Sequence, residues 1–388
     1  MITFAILILI VAKALPGLNT HISSIHVTRI TSIVFLFAGA LTLNSLNLEN
    51  IGTGIGIYSG FYQVTTISQL IEIFLFIIGG GILIAWPQNS IKELYNLSSS
   101  RKRPKGGSLK RATSVASEGS SERTRLSDPK ERGTDYSLVV LFSSLGSSLL
   151  ISSYDLISVY LSIELQSFGL YVLSTLYRDS ESSTSAGLKY FLLGGLSSCI
   201  ILLGTGIIYS YTGTTNLESL YIINSVIDVN QQYIIQGINL GLSLIFIGFL
   251  FKIAAAPLHN WSPDVYDGTP TIVTTWLTII PKIAILFILL ELQIKLGSFG
   301  PLGGGLKTII INNSGYLLNF NLDINSILNL TPPAPSEDSL ARFGIGGDNI
   351  LKTLLLISST LSLIIGSLLG LAQIRIKRLL AYSTIVRH

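Results

Sequence analysis

Residues 250–287 read LFKIAAAPLHNWSPDVYDGTPTIVTTWLTIIPKIAILF, and they set two lysines inside apolar segments. Lys252 follows the run GLSLIFIGFLF, and Lys282 lies within WLTIIPKIAILFILL; each has a proline nearby, Pro257 or Pro281. An ammonium at the centre of a bilayer costs about 2.5–3.5 kcal/mol on an insertion scale, so a chain keeps one there only where protein or water solvates it. Function is therefore the default expectation for both lysines. The run around Lys252 is also too long: Ile234 to Tyr266 is 33 residues, against about 20 for one straight span. Ala254 to Pro257 offers a break, because Pro257 lacks an amide proton and its ring clashes with the preceding turn, freeing carbonyls that protein or water must satisfy. An interrupted helix with a lysine beside the break is an arrangement transporters use to build a site. The plainer reading is a kinked helix with a misplaced charge, and Lys282, mid-span after Pro281, faces the same two readings.

Working outward, composition fixes the solvent. The chain has 388 residues, 48% hydrophobic and 12% charged, and a mean hydropathy of +0.60. Uninterrupted apolar runs of span length make it a multi-pass helical membrane protein. A barrel would need alternating segments of roughly ten residues, which are absent. The single cysteine, Cys199, and the four histidines, 21, 26, 259 and 388, cannot build a thiolate cluster or an H-E-x-x-H site, so no metal is expected. GTGIG at 52–56 and FGIGGD at 343–348 lack the spacing and the strand-to-helix setting of a dinucleotide loop, and no Walker lysine motif occurs. Met1 opens an apolar run without a basic n-region, which reads as the first span rather than a removed signal.

Apolar runs predict spans near 2–15, 29–46, 67–87, 137–153, 154–177, 185–211, 234–266, 270–294 and 350–371, with a tenth beginning near Lys377. Loops after spans two, four and six hold no Lys or Arg, whereas odd-numbered loops hold Arg29, Lys92, Arg178 and the group Arg375, Lys377, Arg378. The positive-inside rule then places the odd loops in the cytoplasm or its mitochondrial equivalent, the matrix, with the amino terminus on the other side. Two stretches do not suit a membrane core. Ser98 to Asp135 has ten basic and five acidic residues and is expected to be disordered. It carries +5 of a total of +4, so the basic pI belongs to this segment and is not read as nucleic-acid binding. Gly297 to Asp348 reads as a polar loop with a short apolar strand or helix around Thr308 to Leu330.

Four other ionisable groups need an account. Glu164 lies about ten residues from either end of its span, roughly 15 Å deep, too deep for so short a side chain to snorkel. Structural ion pairing and proton handling both remain open for it. Lys189 is only a few residues into its span and can snorkel, but a contact with Glu164 would explain how both charges are tolerated. Burial disfavours a charged lysine and a nearby carboxylate restores it, so a line of Glu and Lys is a plausible proton relay. His259, just past the break, could extend that relay or be a hydrogen-bonded structural histidine beside Trp261. Glu72, five residues into span three, is the weaker candidate.

SIELQSFGLYVLSTLYR at 162–178, AGLKYFLLGGLSS at 186–198, FKIAAAPLHNWSPDVYDGTPT at 251–271, PKIA at 281–284 and IKRLLAYSTI at 376–385 together closely resemble the chain 2 family of NADH:ubiquinone oxidoreductase, respiratory complex I, in its mitochondrially encoded form. The resemblance implies an all-α, antiporter-like membrane-arm subunit that moves protons, driven by quinone chemistry elsewhere. It implies no cofactor in this chain, with NADH, FMN, iron–sulfur clusters and ubiquinone on partner subunits. The expected partners are the other membrane-arm subunits and the phospholipid bilayer, and the expected location is the mitochondrial inner membrane. By matching motif, Glu164 corresponds to the fifth-helix glutamate, Lys189 to its sixth-helix partner, Lys252 to the lysine of the broken seventh helix and Lys282 to the eighth-helix lysine.

The organisation that follows has a three-helix membrane segment at 1–97, the basic insertion at 98–135, a helical proton-channel bundle at 136–295, a polar loop insertion at 296–349 and the start of a second helical repeat at 350–388. The family pattern runs on past LAYSTI with several more helices, whereas this sequence ends Val386-Arg387-His388, so that repeat is expected to be incomplete. A stand-alone cation/proton antiporter of the same fold is the main rival, since fold alone does not fix function. A purely structural membrane subunit is the third reading.

Overall fold

The computed structural model describes residues 1–15, 24–46, 54–84, 129–177, 180–226, 232–296 and 350–386. These form the helices α1 (Ile2–Ala14), α2 (Ser24–Ser45), α3 (Thr66–Ile84), α4 (Pro129–Ser152), α5 (Leu156–Thr175), α6 (Glu181–Thr212), α7 (Leu217–Val226), α8 (Gln232–Ile253), α9 (Trp261–Gly268), α10 (Thr271–Leu296), α11 (Ile350–Leu371) and α12 (Ile376–Val386). A hairpin of β1 (Ile55–Ile57) and β2 (Tyr62–Val64), antiparallel with Gly56 opposite Gln63, precedes α3. Among the described residues seven helices are long and apolar enough to cross a membrane: α2, α3, α5, α6, α8, α10 and α11. The protein is an all-α, multi-pass membrane bundle, as expected. In lipid the backbone must satisfy its own hydrogen bonds, and the helix does this within each segment.

One expectation changes. Helix α4 begins at Pro129, seven residues inside the stretch expected to be disordered. Proline suits the first helical position, where its missing N–H costs nothing, a signal that low apolar content had outweighed. Residues 98–128 and the expected apolar element at Thr308 to Leu330 lie outside the described residues. Helix α7 and the hairpin, neither of them apolar runs, are additions.

Close approach of backbones holds the bundle together. A methyl group added at Gly204 of α6 would sit 2.7 Å from the Gly241 carbonyl oxygen of α8, and one at Gly241 would sit 2.9 Å from the Gly204 carbonyl oxygen. Only glycine lets these helices meet at that separation, which is how membrane helices gain van der Waals contact where lipid is as apolar as the side chains. The buried hydroxyls of Ser143, Ser144 and Ser147 on α4 each donate to a carbonyl three residues earlier, so burial leaves none of the three without a partner.

The chain ends its helices on two faces. On the first, Tyr154 N–H donates to the Phe61 carbonyl (2.9 Å) and Leu156 N–H to the Thr215 carbonyl (3.0 Å), joining the hairpin, the α4–α5 turn and the α6–α7 loop. These follow spans two, four and six, the loops without basic residues. Asp155 caps α5 there: its Oδ1 accepts from Ile157 N–H (2.8 Å), Ser158 Oγ closes a capping box and Thr215 Oγ1 donates to its Oδ2 (2.9 Å). Helix α5 carries the chain to the second face, where α6 starts, α9 ends and α12 begins.

Candidate functional site

Helix α8 stops at Ile253, one residue after Lys252, and does not resume until Trp261. Its end is a Schellman turn: Ala254 has φ +68°, Ala255 N–H donates to the Leu250 carbonyl (3.0 Å) and Ala254 N–H to the Phe251 carbonyl (3.1 Å). An L-residue with left-handed backbone costs roughly 1–2 kcal/mol, a cost glycine would avoid. The Phe251 carbonyl takes a second donor, Trp261 Nε1, at 2.9 Å. The Leu250 and Phe251 carbonyls freed by the break are thus satisfied from within the protein, which is the condition for irregular backbone at membrane depth.

The break leaves Lys252 facing α5. Its Nζ donates to Ser167 Oγ at 2.8 Å and lies 3.7 Å from Glu164 Oε1. Ser167 Oγ in turn donates to the Ile163 carbonyl at 2.7 Å, so its lone pairs are left for the ammonium. Glu164 and Ser167 are three apart on one helix and therefore share a face. The lysine side chain is 7% exposed and the glutamate 20%, so solvent screens the pair weakly.

Lys252 also lines a cavity of about 20 Å³ together with Ser167, Gln166, Tyr171, Tyr190, Ser197, Trp261, Tyr266, Pro281 and Lys282. That volume suits about one water. Lys282, on α10 directly after Pro281, is buried, and its Nζ stands 5.7 Å from the centre of the Tyr266 ring, within cation–π range. Pro281 has no N–H for the Leu277 carbonyl, and Leu277 lines the same cavity. Aromatic rings form its wall: Tyr171 meets Tyr190 edge-on with centroids 4.9 Å apart, and Tyr190 stacks on Trp261 at 5.1 Å. Gln166 Nε2 and the Tyr266 hydroxyl are buried without a hydrogen-bond partner among the described residues. Buried polar atoms are nearly always partnered, so these two mark the cavity as polar.

Lys252 and Lys282 thus line one polar pocket, and Glu164 adjoins it through Lys252. Lys189 does not join them. Instead of meeting Glu164 it pairs with Asp264 of α9 at 2.9 Å, with side chains 55% and 39% exposed. Two turns into α6, it sits at the second face, where α9 ends, whereas Glu164 is mid-helix beside the end of α8. His259 is buried, its Nδ1 3.3 Å from the Pro257 carbonyl and its ring 6.4 Å from that of Tyr382. Glu72 lines a separate cavity between α1, α2, α3 and α4. The sequence reading missed Ser167, Gln166, Tyr171, Tyr190 and Tyr266. Gln166 and Ser167 carried a usable signal, since two polar residues adjoin Glu164 in an otherwise apolar span; the tyrosines did not stand out among the 16 in the chain.

Residues 153–299 and 342–387 match the family model described as NADH:quinone oxidoreductase/Mrp antiporter, transmembrane. NADH-ubiquinone oxidoreductase chain 2 of Rhizopus oryzae is 43% identical over 385 residues, 99% of this chain and 60% of that relative. Its counterpart in Marchantia polymorpha is 38% identical over 252 residues, 64% of this chain and 41% of the relative. The chain therefore spans at most about 60% of the length of these relatives. Among solved structures, respiratory complex I from Thermus thermophilus aligns with TM-score 0.59 at 24% identity, covering 100% of this chain and 62% of that one. The Mrp complex from a Dietzia species aligns with TM-score 0.60 at 15% identity, covering 100% and 56%. At such identities the likeness speaks for the fold.

Proposed function

The chain belongs to the NADH:quinone oxidoreductase/Mrp antiporter transmembrane family, and from that premise we propose that it is a proton-translocating membrane-arm subunit of NADH:ubiquinone oxidoreductase, coupling quinone reduction elsewhere in the complex to proton movement through Glu164, Lys252 and Lys282. The observation that carries the reading is the Glu164–Ser167–Lys252 cluster at a helix break, opening on a polar cavity that also holds Lys282.

The chemistry follows from burial. A proton on Lys252 is held by the carboxylate of Glu164 and the oxygen of Ser167. If Glu164 is neutralised or withdrawn, the buried ammonium loses its counter-charge and the proton is released toward the cavity. Lys282, across that cavity, is the next acceptor, and one water is enough to bridge a polar gap of this kind. The aromatic wall keeps bulk water out, so protons do not leak past. His259 is a secondary candidate and Lys189 lies outside the transfer line. In this reading the chain binds no redox cofactor, it sits in the mitochondrial inner membrane beside other membrane-arm subunits, and its basic odd-numbered loops face the matrix.

Replacing Lys252 by Met in the assembled complex tests the proposal: proton pumping per quinone reduced falls sharply. Unchanged pumping would leave the lysine a structural relic. Ion-stimulated transport by the isolated chain would instead favour the stand-alone antiporter.

A further inference from the structure

Helix α9 is eight residues long, too short to be stable on its own in water, so other elements must fix its position. One side of it builds the cavity: Trp261 and Tyr266 are buried and line it, and Tyr266 underlies Lys282. The other side carries Asp264 and Asp267, three apart and hence neighbours on one face. Arg378 of α12 bridges them, its Nη2 3.1 Å from Asp264 Oδ1 and its Nε 3.1 Å from Asp267 Oδ2. Arg375 Nη1 reaches Asp267 Oδ2 at 2.7 Å. Lys377 Nζ donates to the Thr269 carbonyl, just past the end of α9, at 3.0 Å. Lys189 of α6 holds Asp264 from the opposite flank. The components are unequal. Asp267 is 13% exposed, whereas Lys189 is 55% exposed, and exposed pairs contribute little.

We propose that Asp267, Arg375 and Arg378 form a clasp that positions α9, so that the first residues of α12 decide how tightly Trp261 and Tyr266 close the Lys252–Lys282 cavity. None of the three touches the proton-bearing lysines. They are positioning residues: they act by pressing a short helix onto α6, where the Ser182 carbonyl oxygen would lie only 2.8 Å from a methyl group added at Gly268. Loosening the clasp admits water to the cavity without removing any group of the relay. The inference deepens the proposed function and rests on it only for what the cavity conducts.

The test is cysteine accessibility in the assembled complex, in a Cys199→Ser background that removes the chain's single cysteine. Ser197→Cys reports on the cavity wall and Ser143→Cys on the buried α4 surface that meets Trp276. Each is labelled with a small membrane-impermeant methanethiosulfonate. Asp267→Asn raises the labelling rate at position 197 about tenfold, equivalent to about 1.4 kcal/mol, and leaves position 143 unchanged. Lys189→Gln, which breaks only the exposed pair, changes neither by more than about twofold. If Asp267→Asn does not assemble, Arg378→Lys, which cannot bridge both carboxylates, carries the same test and the same criterion. Equal labelling with and without the clasp, or a rise at both positions, overturns the proposal. Labelling needs no proton movement, so a Lys252→Met complex that pumps normally defeats the functional reading while leaving the clasp standing.

Discussion

Ser167→Ala isolates one interaction of the buried lysine. The substitution deletes the oxygen that accepts from Lys252 Nζ at 2.8 Å and its contact with the Tyr171 side chain, while the hydroxyl's own proton goes to a helical carbonyl that already has backbone bonding. A hydrogen bond to a charged group contributes about 1.5–3 kcal/mol, so a proton held on Lys252 becomes roughly 10- to 150-fold less favoured. The Glu164 carboxylate sits 3.7 Å away, beyond good hydrogen-bond distance. Its gross Coulomb attraction is about 4.5 kcal/mol at an effective dielectric constant of 20, before desolvation is subtracted. The magnitudes set an order: Glu164→Gln impairs proton pumping more than Ser167→Ala, and Ser167→Thr, which keeps the hydroxyl, least. The assay is proton uptake per quinone reduced by the purified complex in sealed vesicles, with assembly checked in parallel. Full pumping by an assembled Ser167→Ala complex, or a larger defect than Glu164→Gln, would refute the argument that these two groups share the hold on Lys252.

Gly204→Val or Gly241→Val pushes α6 from α8, and we expect a loss of about 1–3 kcal/mol or more, seen as a lower thermal midpoint in detergent. Asp155→Ala removes the α5 cap and the Thr215 tie, costing about 1–2 kcal/mol and measurable in the same unfolding experiment. Trp261→Phe keeps the ring stack on Tyr190 but loses the bond to the Phe251 carbonyl; because Ala254 N–H still serves that carbonyl, the loss stays near 1 kcal/mol. Acid should open the clasp. Burial pushes the Asp267 carboxyl up, but Arg375 and Arg378 outweigh it and hold the group below its ordinary value of 3.8. A carboxyl depressed by folding stabilises above its unfolded value and loses that contribution as pH falls through the folded one. The groups around it are Asp264, Lys189, Arg375, Lys377 and Arg378. The labelling rate at position 197 relative to position 143, a ratio that cancels the loss of thiolate at low pH, should therefore stay flat down to the ordinary carboxylate range and rise only below it, and a rise near neutral pH would contradict this.

The amino-acid sequence by itself determined the helical membrane class, the break and the buried charges. Each of these follows from one-dimensional facts: a bilayer core about 30 Å thick demands runs of about 20 apolar residues, Pro257 interrupts one of them, and Lys252, Lys282 and Glu164 stand out because charge in lipid is costly. Which charge meets which was decided only by the tertiary structure. A soluble helix advertises its buried side by alternating polar and apolar residues, but a helix in lipid is apolar all round and hides its rotation. Glu164 could be placed on the sequence at mid-depth, yet nothing in the string tells whether it turns toward Lys189 or Lys252, 88 residues on. Helix packing settles that through Gly204 and Gly241, which bring α6 and α8 to one separation and aim the end of α8 at α5. Arg375 and Arg378 counted at first only as loop charge. Their grip on Asp264 and Asp267 exists because α12 folds back beside α9, and a contact between residues more than a hundred positions apart leaves no local trace.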